Sequence, residues 1–284
     1  MPKNVFLGMI FFMKATGNSL FSFYIHASIH VGLVALSLVL LTYFLWQIPI
    51  DAAVCNLVFC GTIFSYNFIK FHSVCAENKQ NKTFFDFIKW LNWVCLLGGA
   101  ASFLFVNTLS QLTTIFFGLL TLLYALPMGI FKKNLRNFSG IKIYIVSFCW
   151  AGVTLLLPLF NADFSLSLDF ILIFLQRYLL TLVLLLIFEI KDLQVDAPEL
   201  KTFPQTFGVH KTKTTIVVLG LLFYVLEFFK LNFYPKQRFI MLILLALIFI
   251  FTYFVHPNQK KYFTLFWVES VPIIWLVLSI ILTN

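Results

Sequence analysis

The chain has 284 residues, of which 61% are hydrophobic and only 11% charged, with a mean hydropathy of +0.96 and a net charge of +9. A soluble domain carries roughly 25% charged residues, so this composition excludes one and defines an integral membrane protein. The positive balance follows the membrane topology, as its distribution along the chain shows, and calls for no nucleic-acid partner.

A spanning helix needs about 20 mostly apolar residues. Nine stretches qualify: Leu20 to Leu45, Ala52 to Ile69, Phe84 to Val106, Leu112 to Leu126, Ile141 to Phe160, Phe170 to Ile190, Thr214 to Leu231, Phe239 to Val255 and Phe263 to Leu282. They are continuously apolar and lack the alternation of a barrel strand, the other spanning solution. The predicted fold is therefore an all-α membrane protein, one polytopic domain over residues 1–284. Residues 1–13 have too short an apolar part for a cleaved signal peptide, so the first helix is expected to remain.

Along the chain, His26 and His30 fall at i, i+4 on the first stretch and read as polar lining or helix contacts rather than metal ligands, since no acid accompanies them as in a zinc motif. Asn67 closes the second stretch, either as a helix cap or as a contact for a metal or phosphate. The cysteines Cys55, Cys60, Cys75, Cys95 and Cys149 form no CxxC pair and read as core thiols. Arg177 lies twelve residues before Glu189, roughly 18 Å along a helix. A charge at that depth faces a cavity or an acid, so Arg177 reads either as an ion pair with Glu227 or Glu269 or as a group that binds substrate.

The basic residues set the orientation. With the N-terminus cytoplasmic, the inner segments hold fifteen: Lys3, Lys14, Lys70, Lys79, Lys82, Lys132, Lys133, Arg136, Lys142, Lys191, Lys201, Lys211, Lys213, Lys260 and Lys261. The outer segments hold three: Lys230, Lys236 and Arg238. The positive-inside rule gives N-in and C-out for nine transmembrane helices. Outer turns such as Gln47 to Asp51 are short, whereas Lys70 to Thr83 and Lys191 to Lys213 are long and polar, which puts loop function on the cytoplasmic side.

The segment FEIKDLQVDAPELKTFP, Phe188 to Pro204, is the most informative. Pro198 disfavours helical geometry at Ala197, so the sixth helix is predicted to run through Asp196. Glu189, Asp192 and Asp196 then share one face. A helix C-terminus already carries about half a negative charge, so a cation is expected beside them. Lys191 and Lys201 or hydration would meet that need; so would a hard divalent ion such as Mg²⁺, which also binds phosphate oxygens.

With an acid motif after the sixth helix (KDLQVD, Asp192 and Asp196), then Thr202, Pro204 and Gly208 in KTFPQTFG, the chain resembles the UbiA superfamily of intramembrane prenyltransferases. Gly140 to Pro158, including Lys142, is similar to the family's fifth helix. The resemblance implies a helical bundle around a central cavity, in which two aspartate motifs hold Mg²⁺ and a polyprenyl diphosphate for transfer to a lipophilic or aromatic acceptor. It implies Asp192 and Asp196 as catalytic groups, Mg²⁺ at Asp192, Asp196 and Glu189, and Asn67, Lys132, Arg136, Lys142 and Lys201 around the diphosphate. Lys133 stands with them as a further candidate. The expected location is the cell (inner) membrane, multi-pass, with membrane lipids around it and the active side cytoplasmic. The chain departs from the family at the first motif, where NFIKFHSVC places Phe68, Phe71 and Cys75 at the three aspartate positions. That leaves open a non-catalytic relative binding a prenyl lipid or a protein partner.

Overall fold

The computed structural model describes residues 20–72, 82–126, 140–164, 167–231 and 235–283. Its helices are α1 (Leu20–His26), α2 (Ile29–Trp46), α3 (Ala52–His72), α4 (Lys82–Phe103), α5 (Thr108–Ala125), α6 (Lys142–Asn161), α7 (Leu168–Asp192), α8 (Phe203–Val225), α9 (Pro235–Phe254) and α10 (Val271–Thr283). A 3₁₀ turn at Pro198–Leu200 precedes α8, another at Leu226–Phe229 extends it, and a π-helical turn at Phe263–Val268 leads into α10. There is no strand among the described residues. Each predicted apolar stretch carries a long helix, and among the described residues eight helices are long and apolar enough to cross a membrane. The remaining one is α4, whose first half carries Asp86 and Lys89 as an exposed ion pair at 3.7 Å.

Consecutive long helices pack in sequence from α2 to α4 and from α5 to α10, and α10 returns to α2. α7 supplies much of the core through Leu180, Val183, Leu186 and Ile187, which meet Phe223, Leu244 and Trp275 from the following helices. Phe105, Leu104 and Tyr253 are among the large side chains left exposed, as expected of a surface solvated by lipid. Polar bonds between helices replace the missing hydrophobic drive. Asn56 of α3 donates to the Gly98 carbonyl (3.1 Å) and to Ser102 (2.8 Å) of α4, and Thr42 of α2 donates to the Thr154 carbonyl of α6 at 2.9 Å.

One end of the bundle is tied by short polar loops. Asp51 accepts from the Ala53 and Val54 amides and from the Asn161 side chain, and the Asn107 side chain donates to the Phe160 carbonyl. α3 starts, α5 starts and α6 ends there, so the ends of α3 and α7 and the start of α6 lie at the opposite end.

The structure corrects three expectations. The first stretch is not one helix: it breaks at Ser28, in left-handed geometry (φ 61°), which removes the i, i+4 register of the two histidines. His30 bonds Tyr24 at 2.7 Å and lies 3.3 Å from Ser270 Oγ, whereas His26 faces a cavity. The helix α7 stops at Asp192, because the Val195 amide tightens back onto the Asp192 carbonyl at 2.8 Å. Arg177 pairs with neither glutamate. Fully buried, it donates to the Thr154 carbonyl at 2.7 Å, while Glu227 accepts from Lys230 (2.5 Å) and Gln176 (3.0 Å).

Candidate functional site: two adjoining cavities

Two cavities lie within the bundle. The first, about 380 Å³, sits between α3, α5 and α6 and is walled mainly by apolar groups and glycines, among them Gly61, Phe117, Gly118 and Leu157. Its wall depends on Gly152, where a Cβ would come within 1.9 Å of the Phe117 ring. The second, about 500 Å³, extends towards the end of the bundle opposite the Asp51 loops and is lined by His26, Lys70, Lys191, Asp192, Lys261 and Glu269. Both volumes fall within the few hundred Å³ typical of ligand pockets.

The cavities share Tyr66, Lys70, Trp150 and Leu185 as lining residues. At this junction the Trp150 indole N–H donates to the Tyr66 hydroxyl at 2.9 Å, with the rings nearly perpendicular. That bond fixes both aromatic rings where the apolar and the charged spaces meet.

The charged groups reach the second cavity from several elements. Lys70 comes from the last turns of α3, and its ammonium donates to Ser28 Oγ at 2.7 Å. Ser28 in turn donates to Asn67 Oδ1 (2.8 Å), and the Asn67 amide donates to the Ala27 carbonyl (3.0 Å). Asn67 and Ser28 are fully buried, so the α1–α2 break is locked onto α3 and Lys70 is aimed by that lock. Lys191 and Asp192 end α7 and bond each other at 2.5 Å. Lys261 opens the helical segment that runs into the π-helical turn before α10. Burial among Lys191 and Lys70, only partly offset by Asp192, lowers its pKa to about 8. Glu269 follows the π-helical turn, its amide reaching back five residues to the Thr264 carbonyl at 3.1 Å; such turns recur at functional sites.

The sequence-predicted residues divide. Asp192 is on the cavity wall. Glu189 and Asp196 are drawn instead to Lys142, at 3.4 and 3.7 Å, and Glu189 also accepts from the Phe203 amide at the start of α8 (3.1 Å). The early end of α7 is the reason, since it swings Asp196 off the face that carries Asp192. Asn67 braces Lys70 rather than lining either cavity, and Lys142 lines the first cavity while holding the two acids. Lys201, in left-handed geometry (φ 43°) and exposed, lines neither. Lys132, Lys133, Arg136 and Cys75 lie outside the described residues. Of the first-motif positions, Phe68 stacks on Phe64. Gly208 has φ 82°, a conformation that favours glycine, and kinks α8.

The donor set does not fit a Mg²⁺ ion. Such an ion takes six oxygens in a near-octahedral shell, but among the described residues no three His, Cys, Asp or Glu side chains gather as a metal site. Asp192 is already held by Lys191, and Lys70 and Lys261 stand round the same space. Sequence reasoning missed Lys70, Lys191 and Lys261 as site residues because each already had an explanation in topology or as an acid's partner. Their common signal is that all three stand where a helical segment begins or ends on the side opposite the Asp51 loops.

No protein-family model matches the chain, and no curated protein matches it significantly. Among solved structures, digeranylgeranylglyceryl phosphate synthase, a UbiA-family membrane prenyltransferase, matches with a TM-score of 0.58 and 16% identity, over 92% of this chain and 95% of that one. The chain therefore has a UbiA-like membrane fold.

Proposed function

We propose that the protein is a multi-pass membrane prenyltransferase that moves a polyprenyl group from its diphosphate to a lipophilic or aromatic acceptor. The observation that carries this reading is the adjoining pair of cavities, one apolar and one rimmed by charge, inside a UbiA-like fold. The prenyl chain lies in the first cavity and its diphosphate at the charged end of the second, with the reacting carbon between them, near Tyr66 and Trp150.

In the transfer, the bond from the allylic carbon to the diphosphate oxygen breaks and its electron pair leaves with the diphosphate. The acceptor nucleophile forms the new bond and gives up a proton, for which Asp192 and Glu269 are the carboxylates on the wall. Fixed positive charge beside the leaving oxygens stabilises the charge that develops there. The aromatic faces at the junction suit a carbon that is becoming cationic.

By the positive-inside distribution, nine helices run N-in and C-out, and the charged end of the second cavity faces the cytoplasmic side of a cell membrane. A second reading, binding of a prenyl lipid without transfer, is favoured by Phe68, Phe71 and Cys75 at the first-motif positions. Incubating the purified protein in lipid with radiolabelled geranylgeranyl diphosphate and membrane extract separates the two. Label appearing in a new, diphosphate-free lipid supports transfer; saturable binding with no product supports the second reading.

A further inference from the structure

We infer that the charged end of the second cavity is a lysine-built anion site that holds the diphosphate of a prenyl donor without a divalent metal. The inference rests on the reading of the cavity pair as a prenyl diphosphate site and departs from it only in what neutralises the head group. Three ammonium groups, Lys70, Lys191 and Lys261, arrive from three separate elements, against two carboxylates, Asp192 and Glu269, on the same wall. The excess of cations is the reverse of a metal site and the complement of a phosphate.

The site is built rather than incidental. Lys70 is held by Ser28, and Ser28 by the fully buried Asn67, so a three-member relay across the α1–α2 break sets where that ammonium points. The two acids that flank Asp192 in sequence are withdrawn from the cavity: Glu189 and Asp196 both face Lys142. Like charges also crowd there, since Lys191 and Lys70 both act against the protonated form of Lys261. A bound polyanion relieves that repulsion. Lys70 lines both cavities, which puts the anion site directly beside the apolar space an isoprenoid chain would fill.

The test measures binding of geranylgeranyl diphosphate to the protein in nanodiscs, once with EDTA and once with Mg²⁺. Geranylgeranyl monophosphate and geranylgeraniol serve as comparison probes. The expected result is an affinity that EDTA changes by less than about twofold, falling from diphosphate to monophosphate to alcohol. Lys70→Met and Lys261→Met each weaken it by ~10-fold or more, the loss of one charge-assisted contact. Lys70→Arg and Lys261→Arg, which keep the charge, retain EDTA-insensitive binding, and the exposed Lys89→Gln is a control without effect. Binding that vanishes in EDTA and returns with Mg²⁺ overturns the lysine site while leaving the prenyl diphosphate reading intact. Equal affinity for the alcohol, or full affinity in both Met variants, also overturns it. No binding of any probe, with or without Mg²⁺, removes the prenyl diphosphate reading itself.

Discussion

Replacing Lys142 with Met separates a structural role from a substrate role at the α6–α7 contact. Lys142 Nζ lies 3.4 Å from Glu189 and 3.7 Å from Asp196, with side-chain exposures of 26%, 6% and 16%. Removing the cation leaves two carboxylates facing each other with little water. Breaking a buried ion pair costs about 3–5 kcal/mol. The Phe203 amide still donates to Glu189, and both ion-pair distances are long, so the lower end applies: ~3 kcal/mol, or roughly a 150-fold shift in the folded/unfolded ratio. Adding Glu189→Gln removes one of the stranded charges while keeping an acceptor for the Phe203 amide, and restores most of the loss. Equilibrium unfolding in mixed micelles, followed by tryptophan fluorescence, measures both variants. Wild-type stability in Lys142→Met, combined with collapsed prenyl diphosphate binding, would refute the structural assignment and return Lys142 to the substrate.

Gly152→Ala drives a methyl into the Phe117 ring, 1.9 Å away before relaxation; the ring is pushed towards the first cavity, so geranylgeranyl diphosphate binding falls more than dimethylallyl diphosphate binding in parallel titrations. Asn67→Ala strands the buried Ser28 hydroxyl and Ala27 carbonyl. It costs ~2 kcal/mol in unfolding and weakens prenyl diphosphate binding through Lys70, although Asn67 lines neither cavity. Anion affinity declines as pH rises through about 8, because Lys261 carries its charge below that value and loses it above. His26, Lys70, Lys191, Asp192 and Glu269 face the same space, and anion binding itself moves the midpoint upward; a profile that falls less steeply in Lys261→Met than in the wild type assigns Lys261 its share.

The helices were legible because twenty apolar residues in a row have few other solutions in a membrane. Their interruptions were not. Ser28 carries no breaker signal, and its left-handed geometry is held by Asn67, 39 positions away. Pro198 predicts that α7 runs through Asp196, but the turn at Asp192 to Val195 comes first and separates Asp192 from Asp196. The acids were visible as a motif, whereas their division between a cavity and Lys142 depends on where α6 packs. The lysines were hidden by a rule that works: charge at inner helix ends is expected for topology alone, so Lys70, Lys191 and Lys261 carried no extra information until the fold brought them to one wall.

The central claim, that the two cavities together hold a prenyl diphosphate, is tested most directly by photo-crosslinking. A prenyl diphosphate with a benzophenone at the far end of its chain is irradiated with the protein in nanodiscs, and the labelled peptides are identified. Labelling concentrated on α3, α5 and α6 around Gly61, Phe117 and Gly118, and abolished by excess geranylgeranyl diphosphate but not by geranylgeraniol, is the predicted result. Labelling spread over lipid-facing positions such as Phe105 and Tyr253, indifferent to that competitor, would contradict it.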